Sequence, residues 1–349
     1  MIAAGGTAGH VLPALAVAEA LRRRGASVTF AGSPDRVEAQ LVREAGYEFD
    51  AFRVSGLPRR AGPALLRALA LAGRAPVSCV RILRRRRPDI VLGAGGYVAG
   101  PMVLAAAMLR IPAAITEADA HLGLANRLAA PLAKKVFLAF PLAGVEDDGK
   151  YRVVGRAIPA RACVSEPTEA RKRLGLRSTG PVVLIFGGSQ GARRLNEAAI
   201  EAFAEEGPNV LHLCGHAHYA GLRDRVKRDS YVLLAFTDHI GAALTAADLV
   251  VARAGGSVWE VAAAGKPAVL VPYPHATADH QTTNARYFER GGGALVVPET
   301  ELDLRRTVEE LLGDPPRLER MAAAMRGLAR PDAADVIAEE VIALAAARR

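Results

Sequence analysis

The stretch DLVVARAGGSVWEVAAAGKPAVLVPYPHATADHQTTN, residues 248–284, decides the fold of this chain. DLVVA is a short apolar run typical of a buried strand, and the RAGG that follows predicts a turn. Ser257 then opens a helix that Gly265 and Pro267 end, and AVLVPY predicts the next parallel strand. The stretch is therefore a strand–helix–strand unit, in which ligands bind beyond the carboxyl ends of the strands.

The glycine turn of this unit predicts a phosphate-binding site. Gly255 and Gly256 let a diphosphate approach the backbone, and the free N–H groups at the start of the helix attract it. Glu260, one turn into the helix, has two interpretations. Its carboxylate accepts from a ribose diol, or it completes a capping box with Ser257. From this stretch alone the capping box is the favoured interpretation.

The same order of strand, glycine loop and helix opens two other parts of the chain. GGTAGH follows the apolar residues 1–4, with Pro13 predicted in the first helical turn, and GGSQG follows VVLIF at residues 182–186. Two such openings, far apart, predict an α/β chain of two doubly wound, Rossmann-like domains. The predicted boundary lies at residues 156/157, where a segment rich in proline and small residues begins.

The composition excludes several classes of protein. A chain of 349 residues, 51% hydrophobic, fits two domains with real cores. It has no secretory leader pattern and no apolar run of the roughly 18 residues that span a bilayer. Three widely spaced cysteines predict a reducing compartment. The formal charge of +9 predicts an anionic partner: nucleic acid, lipid or a phosphorylated substrate.

The segment 59–87 mixes apolar residues with arginines and contains no acidic residue. One interpretation is an interfacial surface whose apolar side chains enter the headgroup region of an anionic membrane. The other is an ordinary core-facing helix with a basic, solvated face, and the segment itself favours neither. RNA binding is disfavoured, because the segment has no aromatic residue on which bases could stack.

Three further motifs bear on chemistry. The histidines of HLCGHAH at residues 212–218 match no usual zinc spacing, and no Asp-x-Asp pair occurs that would hold a diphosphate through Mg²⁺. Ser189 fits the G-x-S-x-G pattern of hydrolases, but its counterpart in the first domain carries Thr7, which favours a phosphate-binding loop. His10, at the start of a helix, is a candidate general base.

Four motifs in collinear order resemble the MurG family of bacterial N-acetylglucosaminyltransferases. They are GGTAGHVLPALAVAEAL at Gly5, GAGGYVAGP at Gly93, GGSQGARRLN at Gly187 and RAGGSVWEVAAAGKPAVLVPYPHATADHQTTNA at Arg253. The resemblance implies a GT-B fold, in which two Rossmann-like domains face a cleft. It implies inverting transfer of GlcNAc from UDP-GlcNAc to the muramoyl C4 hydroxyl of lipid I, which forms lipid II for peptidoglycan.

The resemblance also assigns partners and domains. Residues 1–156 would form the acceptor and membrane-side domain, with the helix of residues 331–349 packed back on it, and residues 157–330 the UDP-GlcNAc-binding domain. The partners would be UDP-GlcNAc, lipid I and an anionic membrane surface, with no nucleic acid, no metal and no other cofactor. The enzyme would be peripheral, at the cytoplasmic face of the cell membrane, and the membrane interpretation of segment 59–87 becomes the favoured one.

Site residues follow from the resemblance by position. His10 would be the catalytic base, with Asp119 as the alternative. The implied substrate-binding residues are Thr7, Ala8, Gly9, Asp119, Arg161, Ser189, Thr237, Gly255, Gly256, Ser257, Val258, Glu260, His280 and Gln281. Residues 7–9 would lie at phosphates, Ser189 at the nucleotide, the backbone of Thr237 at uracil, and residues 280–281 at GlcNAc hydroxyls. With this resemblance, the ribose interpretation of Glu260 becomes the favoured one.

The chain departs from the family pattern at four places. Ala8 replaces a glycine, which narrows the choice of φ, and Asp119 replaces an asparagine. The family's G-N-P-x-R is here GRAIPAR, which leaves open whether Arg156 or Arg161 meets the donor. The RAGGSVWE turn is one residue shorter than usual.

Three other functions compete with this assignment. One is another GT-B nucleotide-sugar enzyme, acting on a secondary metabolite or a lipid, or epimerising UDP-GlcNAc. Another is a nucleotide-sugar-binding homologue without catalysis. A nicotinamide-dependent dehydrogenase is disfavoured, because neither half has G-x-G-x-x-G followed by an acid about 20 residues later.

Overall fold

The computed structural model describes residues 1–56, 62–159, 166–188 and 191–347. The chain divides into two compact units. The N-terminal domain comprises residues 1–159 and 331–349, and the C-terminal domain comprises residues 160–330. Each domain holds one parallel sheet, so the α/β class and the doubly wound character predicted from the sequence are confirmed.

The N-terminal sheet has the strand order β3-β2-β1-β4-β5-β6-β7 among the described residues. Its strands are β1 (Ile2–Ala3), β2 (Thr29–Gly32), β3 (Glu48–Ala51), β4 (Val91–Gly93), β5 (Ala113–Glu117), β6 (Lys135–Leu138) and β7 (Tyr151–Val153). Its helices are α1 (Ala8–Arg23), α2 (Val37–Glu44), α3 (Pro63–Arg86), α4 (Ala99–Met108), α5 (Leu124–Ala129) and, at the end of the chain, α14 (Ala333–Ala346). A 3₁₀ turn, Ala130–Leu132, follows α5.

The central strands β1 and β4 are buried on both faces of the sheet, which is why they are apolar at every position. Successive residues of a strand point to opposite faces. Ile2 packs with the core that includes α1 and α14, whereas Ala3 packs with the core that includes α3 and α4. Leu92 and Val91 of the neighbouring strand divide in the same way.

The first helix begins earlier than the sequence pattern predicts. Pro13 was expected in the first helical turn, but α1 starts at Ala8 and Pro13 lies inside it. The expectation was wrong because the glycine-rich loop does not end before the helix: its last residues, Ala8 and Gly9, already have helical geometry. Ala8 therefore occupies an ordinary helical position, and the positive φ in this loop belongs to Gly6, at 95°.

The last helix, α14, packs on α1 and so completes the N-terminal domain. Its buried face includes Ile337 and Val341, which join the core around α1. Ion pairs flank this contact, with Arg24 binding both Asp335 and Glu339.

The C-terminal sheet has the strand order β10-β9-β8-β11-β12-β13 among the described residues. Its strands are β8 (Val182–Phe186), β9 (Asn209–Leu213), β10 (Tyr231–Leu234), β11 (Leu249–Ala252), β12 (Ala268–Leu270) and β13 (Ala294–Val296). Its helices are α6 (Pro167–Arg173), α7 (Arg193–Phe203), α8 (His216–Leu222), α9 (Ile240–Ala246), α10 (Val258–Ala263), α11 (His280–Arg290), α12 (Leu304–Leu312) and α13 (Pro315–Leu328).

The stretch 248–284 forms the unit predicted for it. Strands β11 and β12 pair in parallel, with Val250 opposite Ala268, and the short helix α10 connects them. The φ of Gly265 is +62°, which lets the backbone N–H of Lys266 turn back to the carbonyl of Val261 and end the helix. Among the described residues, no helix is both long enough and apolar enough to cross a bilayer.

We expect Ile337→Ala to lower the free energy of unfolding of the N-terminal domain by about 2–5 kcal/mol, because a 2% exposed side chain leaves a cavity against α1. Calorimetric unfolding measures this loss. Glu339→Ala, on the solvent side of the same helix, is the control and should change the unfolding temperature much less. Equal losses in the two variants would contradict the packing described for α14.

Candidate functional site

The first glycine loop, residues 5–9, follows β1, and a buried glutamate stabilises it through hydrogen bonds. Glu38 of α2 is fully buried, and its carboxylate accepts from the backbone N–H groups of Gly6 and Ser33, each at 3.2 Å. Gly5 has no room for a side chain, because an added Cβ would collide with the Glu38 carboxylate. The conformation of this loop is therefore set by its own glycines and by Glu38.

The loop after β4 packs directly on the first loop. Gly96 has a φ of +71°, and a Cβ there would collide with the carbonyl oxygen of Gly5. The ring of Tyr97 lies over Gly6, where an added Cβ would be 3.2 Å from the tyrosine Cε1. The motifs GGTAGH and GAGGYVAGP thus form one surface at the carboxyl ends of β1 and β4.

His10 lies in the first turn of α1, with its ring against Gly95. A Cβ on Gly95 would be 2.6 Å from the His10 Nδ1. Burial lowers the pKa of His10, the positive charge of Arg156 lowers it further, and the negative charge of Asp119 partly opposes both. The imidazole is therefore neutral at pH 7 and able to accept a proton.

Arg156 follows β7 and reaches the same loop. Its guanidinium Nη2 donates to the carbonyl oxygen of Gly9. A Cβ on Gly9 would lie 3.7 Å from that nitrogen. The structure thus places Arg156, one of the two arginines left open by the sequence, beside residues 7–10 in the N-terminal domain.

Asp119 is carried by a loop that a second buried acid organises. Glu117, at the end of β5, accepts from the backbone N–H groups of Ala118, Asp119 and Gly123 and from the side-chain amide of Asn126. Burial raises the pKa of Glu117 despite these hydrogen bonds. Asp119 is half-buried, and its negative charge acts on His10 by raising the pKa of the imidazole.

In the C-terminal domain, the turn before α10 is anchored by two buried side chains. The Arg253 guanidinium donates to the carbonyls of Val271 and Pro272, at 3.2 and 3.1 Å, and pairs with Glu299. The amide of Asn284, on α11, donates to the carbonyl of Ala254 at 3.1 Å. Arg253 therefore stabilises the conformation of this turn.

The turn itself exposes backbone. Among the hydrogen bonds of the described residues, none is donated by the N–H groups of Gly255, Gly256 or Ser257, and a Cβ on Gly255 would meet nothing within 4 Å. The capping-box interpretation is wrong, because the Ser257 side chain makes no cap bond and the N–H of Glu260 donates to the Ser257 carbonyl instead. Glu260 is half-buried and Val258 is buried as the first residue of α10.

The remaining described donor residues lie in the same domain, with His280 and Gln281 at the start of α11 and Thr237 in the loop after β10. Gln281 accepts the backbone N–H of Tyr273 at 2.9 Å, and His280 contacts the carbonyl of Thr277 at 2.7 Å. Thr237 accepts the N–H of His239 through its hydroxyl, at 3.1 Å. Next to Thr237, the ring of Phe236 is 51% exposed and stacks on His216.

Gly191, the last residue of the second glycine motif, lies against a buried polar network. His212 contacts the Tyr231 hydroxyl at 2.8 Å and the Asn196 side chain at 3.0 Å, and the Asn196 amide donates to the carbonyl of Cys214. A Cβ on Gly191 would collide with that same carbonyl. Burial lowers the pKa of His212 to about 3. Because both ring nitrogens are engaged within the core, His212 is a structural residue.

Two predicted site residues, Ser189 and Arg161, lie outside the described residues, as does Cys163. Within the described ranges, no group of three or more histidine, cysteine, aspartate or glutamate side chains could hold a metal ion.

Sequence reasoning missed four residues that shape these loops: Glu38, Tyr97, Asn196 and Asn284. Glu38 carried a signal, because it stands one turn before Val42 on the buried face of α2, where an apolar residue is expected. Tyr97, Asn196 and Asn284 carried no signal in the sequence, because they act through contacts with residues distant along the chain.

Comparison with known proteins decides the family. The family description "Glycosyltransferase family 28 N-terminal domain" matches residues 1–138, and "Glycosyltransferase family 28 C-terminal domain" matches residues 182–337. The chain belongs to glycosyltransferase family 28. The loops after β1 and β4 fall within the first match, and the glycine motif after β8 and the turn before α10 fall within the second.

Two relatives in family 28 carry the same name, UDP-N-acetylglucosamine–N-acetylmuramyl-(pentapeptide) pyrophosphoryl-undecaprenol N-acetylglucosamine transferase. The protein of Rubrobacter xylanophilus is 44% identical over 343 residues, covering 94% of this chain and 98% of the relative. The protein of Halothermothrix orenii is 38% identical over 348 residues, covering 94% of each chain.

Solved structures agree with this family assignment. The crystal structure of Acinetobacter baumannii MurG superposes with a TM-score of 0.78 at 30% identity, covering 98% of both chains. The glycotransferase of kitacinnamycin, at 20% identity and a TM-score of 0.74 over 97% of this chain and 98% of that chain, shares the fold. The GT-B fold predicted from the motifs is therefore confirmed.

We expect Gly95→Ala to displace the His10 ring, because φ is +88° at this position and the new Cβ would lie 2.6 Å from Nδ1. The left-handed backbone alone should lower the free energy of unfolding by about 1–2 kcal/mol. Chemical denaturation and the His10 Cε1–H resonance measure the two effects. The matched control is Gly73→Ala in α3, where a Cβ meets nothing within 4 Å; an unmoved His10 resonance in Gly95→Ala would contradict the described contact.

Proposed function

We propose that this chain transfers GlcNAc from UDP-GlcNAc to the muramoyl C4 hydroxyl of lipid I, with inversion, and so forms lipid II for peptidoglycan. The observation that carries the proposal is the setting of His10, a neutral imidazole held beside a glycine loop in the first turn of α1. Membership of family 28 and the shared name of the relatives support the substrate pair.

In the proposed reaction, His10 takes the proton of the acceptor hydroxyl while the hydroxyl oxygen bonds to the anomeric carbon of GlcNAc. The bond from that carbon to the diphosphate breaks, and UDP leaves with the electron pair. The N–H groups of Ala8 and Gly9, the first two residues of α1, precede the hydrogen bonds that His10 and Val11 donate to the Thr7 carbonyl, and they would stabilise phosphate near Thr7, Ala8 and Gly9.

The C-terminal domain would hold the donor. The exposed backbone N–H groups of residues 255–257 suit the diphosphate, and Glu260 suits the ribose hydroxyls. Gln281, with His280, would contact GlcNAc hydroxyls, and Ser189 the nucleotide. The backbone of Thr237 would meet uracil, and the exposed Phe236 ring offers that base a face on which to stack.

The proposal is tested by combining the protein with UDP-GlcNAc and a soluble lipid I analogue and measuring UDP release and disaccharide formation. Acceptor-dependent release of UDP with formation of the disaccharide is expected. Isomerisation of UDP-GlcNAc without acceptor would identify an epimerase instead. Binding of UDP-GlcNAc without any turnover would identify a non-catalytic homologue.

His10→Gln should lower kcat by about 10²–10⁴-fold, because the general base is lost. Asp119→Asn should cost less than tenfold, since it keeps a polar group at that position and removes only the weaker of the two charges that act on His10. Because the pKa of His10 is lowered, kcat/KM should persist below pH 6.5 and fall only as the pH passes through that lowered value. Near-normal turnover of His10→Gln, with inactive Asp119→Asn, would assign the base to Asp119.

A basic and apolar surface of the N-terminal domain supports docking to an anionic membrane. Helices α3, α4 and α5 pack side by side. Their exposed apolar side chains, with that of the following 3₁₀ turn, are Leu66, Val77, Leu104, Met108, Leu124, Leu128 and Leu132. Exposed basic residues of the same helices and the loops next to them are Arg67, Arg74, Arg81, Arg84, Arg110, Arg127 and Lys134. Such a surface suits an interfacial protein at the cytoplasmic face of the membrane.

Met108→Glu combined with Leu128→Glu should weaken binding to anionic lipid vesicles by at least about tenfold, because both side chains are two-thirds exposed apolar groups that a membrane would bury. Vesicle co-sedimentation measures this. Turnover of a soluble acceptor should stay unchanged. Val153→Glu, an exposed position on β7, is the control; unchanged vesicle binding of the double variant would contradict this docking surface.

A further inference from the structure

Pro13 creates a defect in the helix that carries His10. Proline has no backbone N–H, so the hydrogen bond that residue 13 would donate to the carbonyl of Gly9 cannot form. Gly9 directly precedes His10 in the first turn of α1. The first turn of α1, which orients the His10 ring, therefore lacks one backbone hydrogen bond of the helix.

Arg156 supplies a donor at this place. Its guanidinium Nη2 donates to the Gly9 carbonyl oxygen, the acceptor that Pro13 leaves without its helical partner. The side chain reaches this carbonyl from the carboxyl end of β7, after a turn in which Gly155 has a φ of +80°. A Cβ at position 9 would lie 3.7 Å from the same nitrogen, an ordinary van der Waals distance, so the guanidinium packs directly against Gly9.

The same guanidinium is the positive charge that acts on His10. Among the described residues, the charged groups that act on His10 are Arg156, which follows β7, and Asp119, which follows β5. The loop after β4 contributes Gly95 to the ring contact, and Tyr97 of that loop lies over Gly6. Of the two charges, Arg156 has the larger effect on the pKa of His10, and it lowers it.

We propose that Arg156 is a positioning residue that replaces the hydrogen bond missing at Pro13, fixing the first turn of α1 and with it the ring of the catalytic base. The proposal rests on the proposed function of His10. It gives Arg156 a role in the N-terminal domain that does not involve contact with the donor. The charge of Arg156 also keeps His10 in its proton-accepting form.

Arg156→Gln should lower kcat about tenfold to hundredfold, because without the charged donor the Gly9 carbonyl, and with it the His10 ring, is no longer held in place. The acidic limb of the pH profile should move to higher pH, because removal of the positive charge raises the pKa of His10. Arg156→Lys keeps the charge and should leave the limb close to its original position. A titration of the His10 Cε1–H resonance, assigned with His10→Gln, reports the same shift without substrate.

Pro13→Ala separates the hydrogen bond from the charge. Alanine supplies the N–H that can bond to the Gly9 carbonyl, so Arg156→Gln in this background should cost kcat less than about threefold. The shift of the His10 titration should persist, because the charge is still lost. Arg152→Gln is the control for removing an arginine from β7 of the same domain, and it should leave the His10 titration unchanged.

The outcomes distinguish the two proposals. A parent protein without acceptor-dependent turnover would overturn the proposed function, whereas the resonance titration would still test the contact. An active parent with an unshifted His10 titration in Arg156→Gln would overturn the inference. The inference would also be overturned if Arg156→Gln lowered kcat equally in the parent protein and in the Pro13→Ala background. A higher KM with unchanged kcat would show that Arg156 binds substrate, and would also overturn it.

Discussion

The N-terminal domain depends on the contact between two stretches of backbone. The carbonyl of Gly5 and the α-carbon of Gly96 approach so closely that a single methyl group between them would force the loops after β1 and β4 apart. This approach is possible because the two strands are neighbours in a parallel sheet, so their carboxyl ends meet at one edge. The ring of His10 rests on Gly95, in the second of these loops, and its position follows from the same contact.

Two buried glutamates stabilise the loops of this domain through hydrogen bonds. Glu38 holds the loop after β1, and Glu117 holds the loop after β5, each by accepting backbone N–H groups that would otherwise lack a partner. Both side chains are at least nine-tenths buried. Neither acid is among the proposed substrate-binding residues, but each fixes a loop that adjoins one of them, His10 or Asp119.

Much of the fold could be predicted from the sequence, because its determinants are local. The apolar run of β11, the glycine turn and the helix end at Gly265 each follow from a few adjacent residues. The site was less predictable. Pro13 is compatible with a helix start, and only the backbone geometry shows that the helix begins at Ala8. Ser257 and Glu260 have capping-box spacing, yet the Glu260 N–H donates to a carbonyl rather than to the serine hydroxyl. The pairing of Arg156 with Gly9 joins residues 147 positions apart, which no local pattern encodes.

The placement of α14 has a consequence for how the protein is made. The N-terminal domain is interrupted in sequence by the whole C-terminal domain and is completed only by residues 331–347. During synthesis on the ribosome, the apolar face of α1 that packs against Ile337 and Val341 has no cover until almost the entire chain has been translated. The N-terminal domain, whose translation begins before that of the C-terminal domain, is therefore completed after it. The C-terminal domain is continuous in sequence and can therefore complete its fold before the N-terminal domain does.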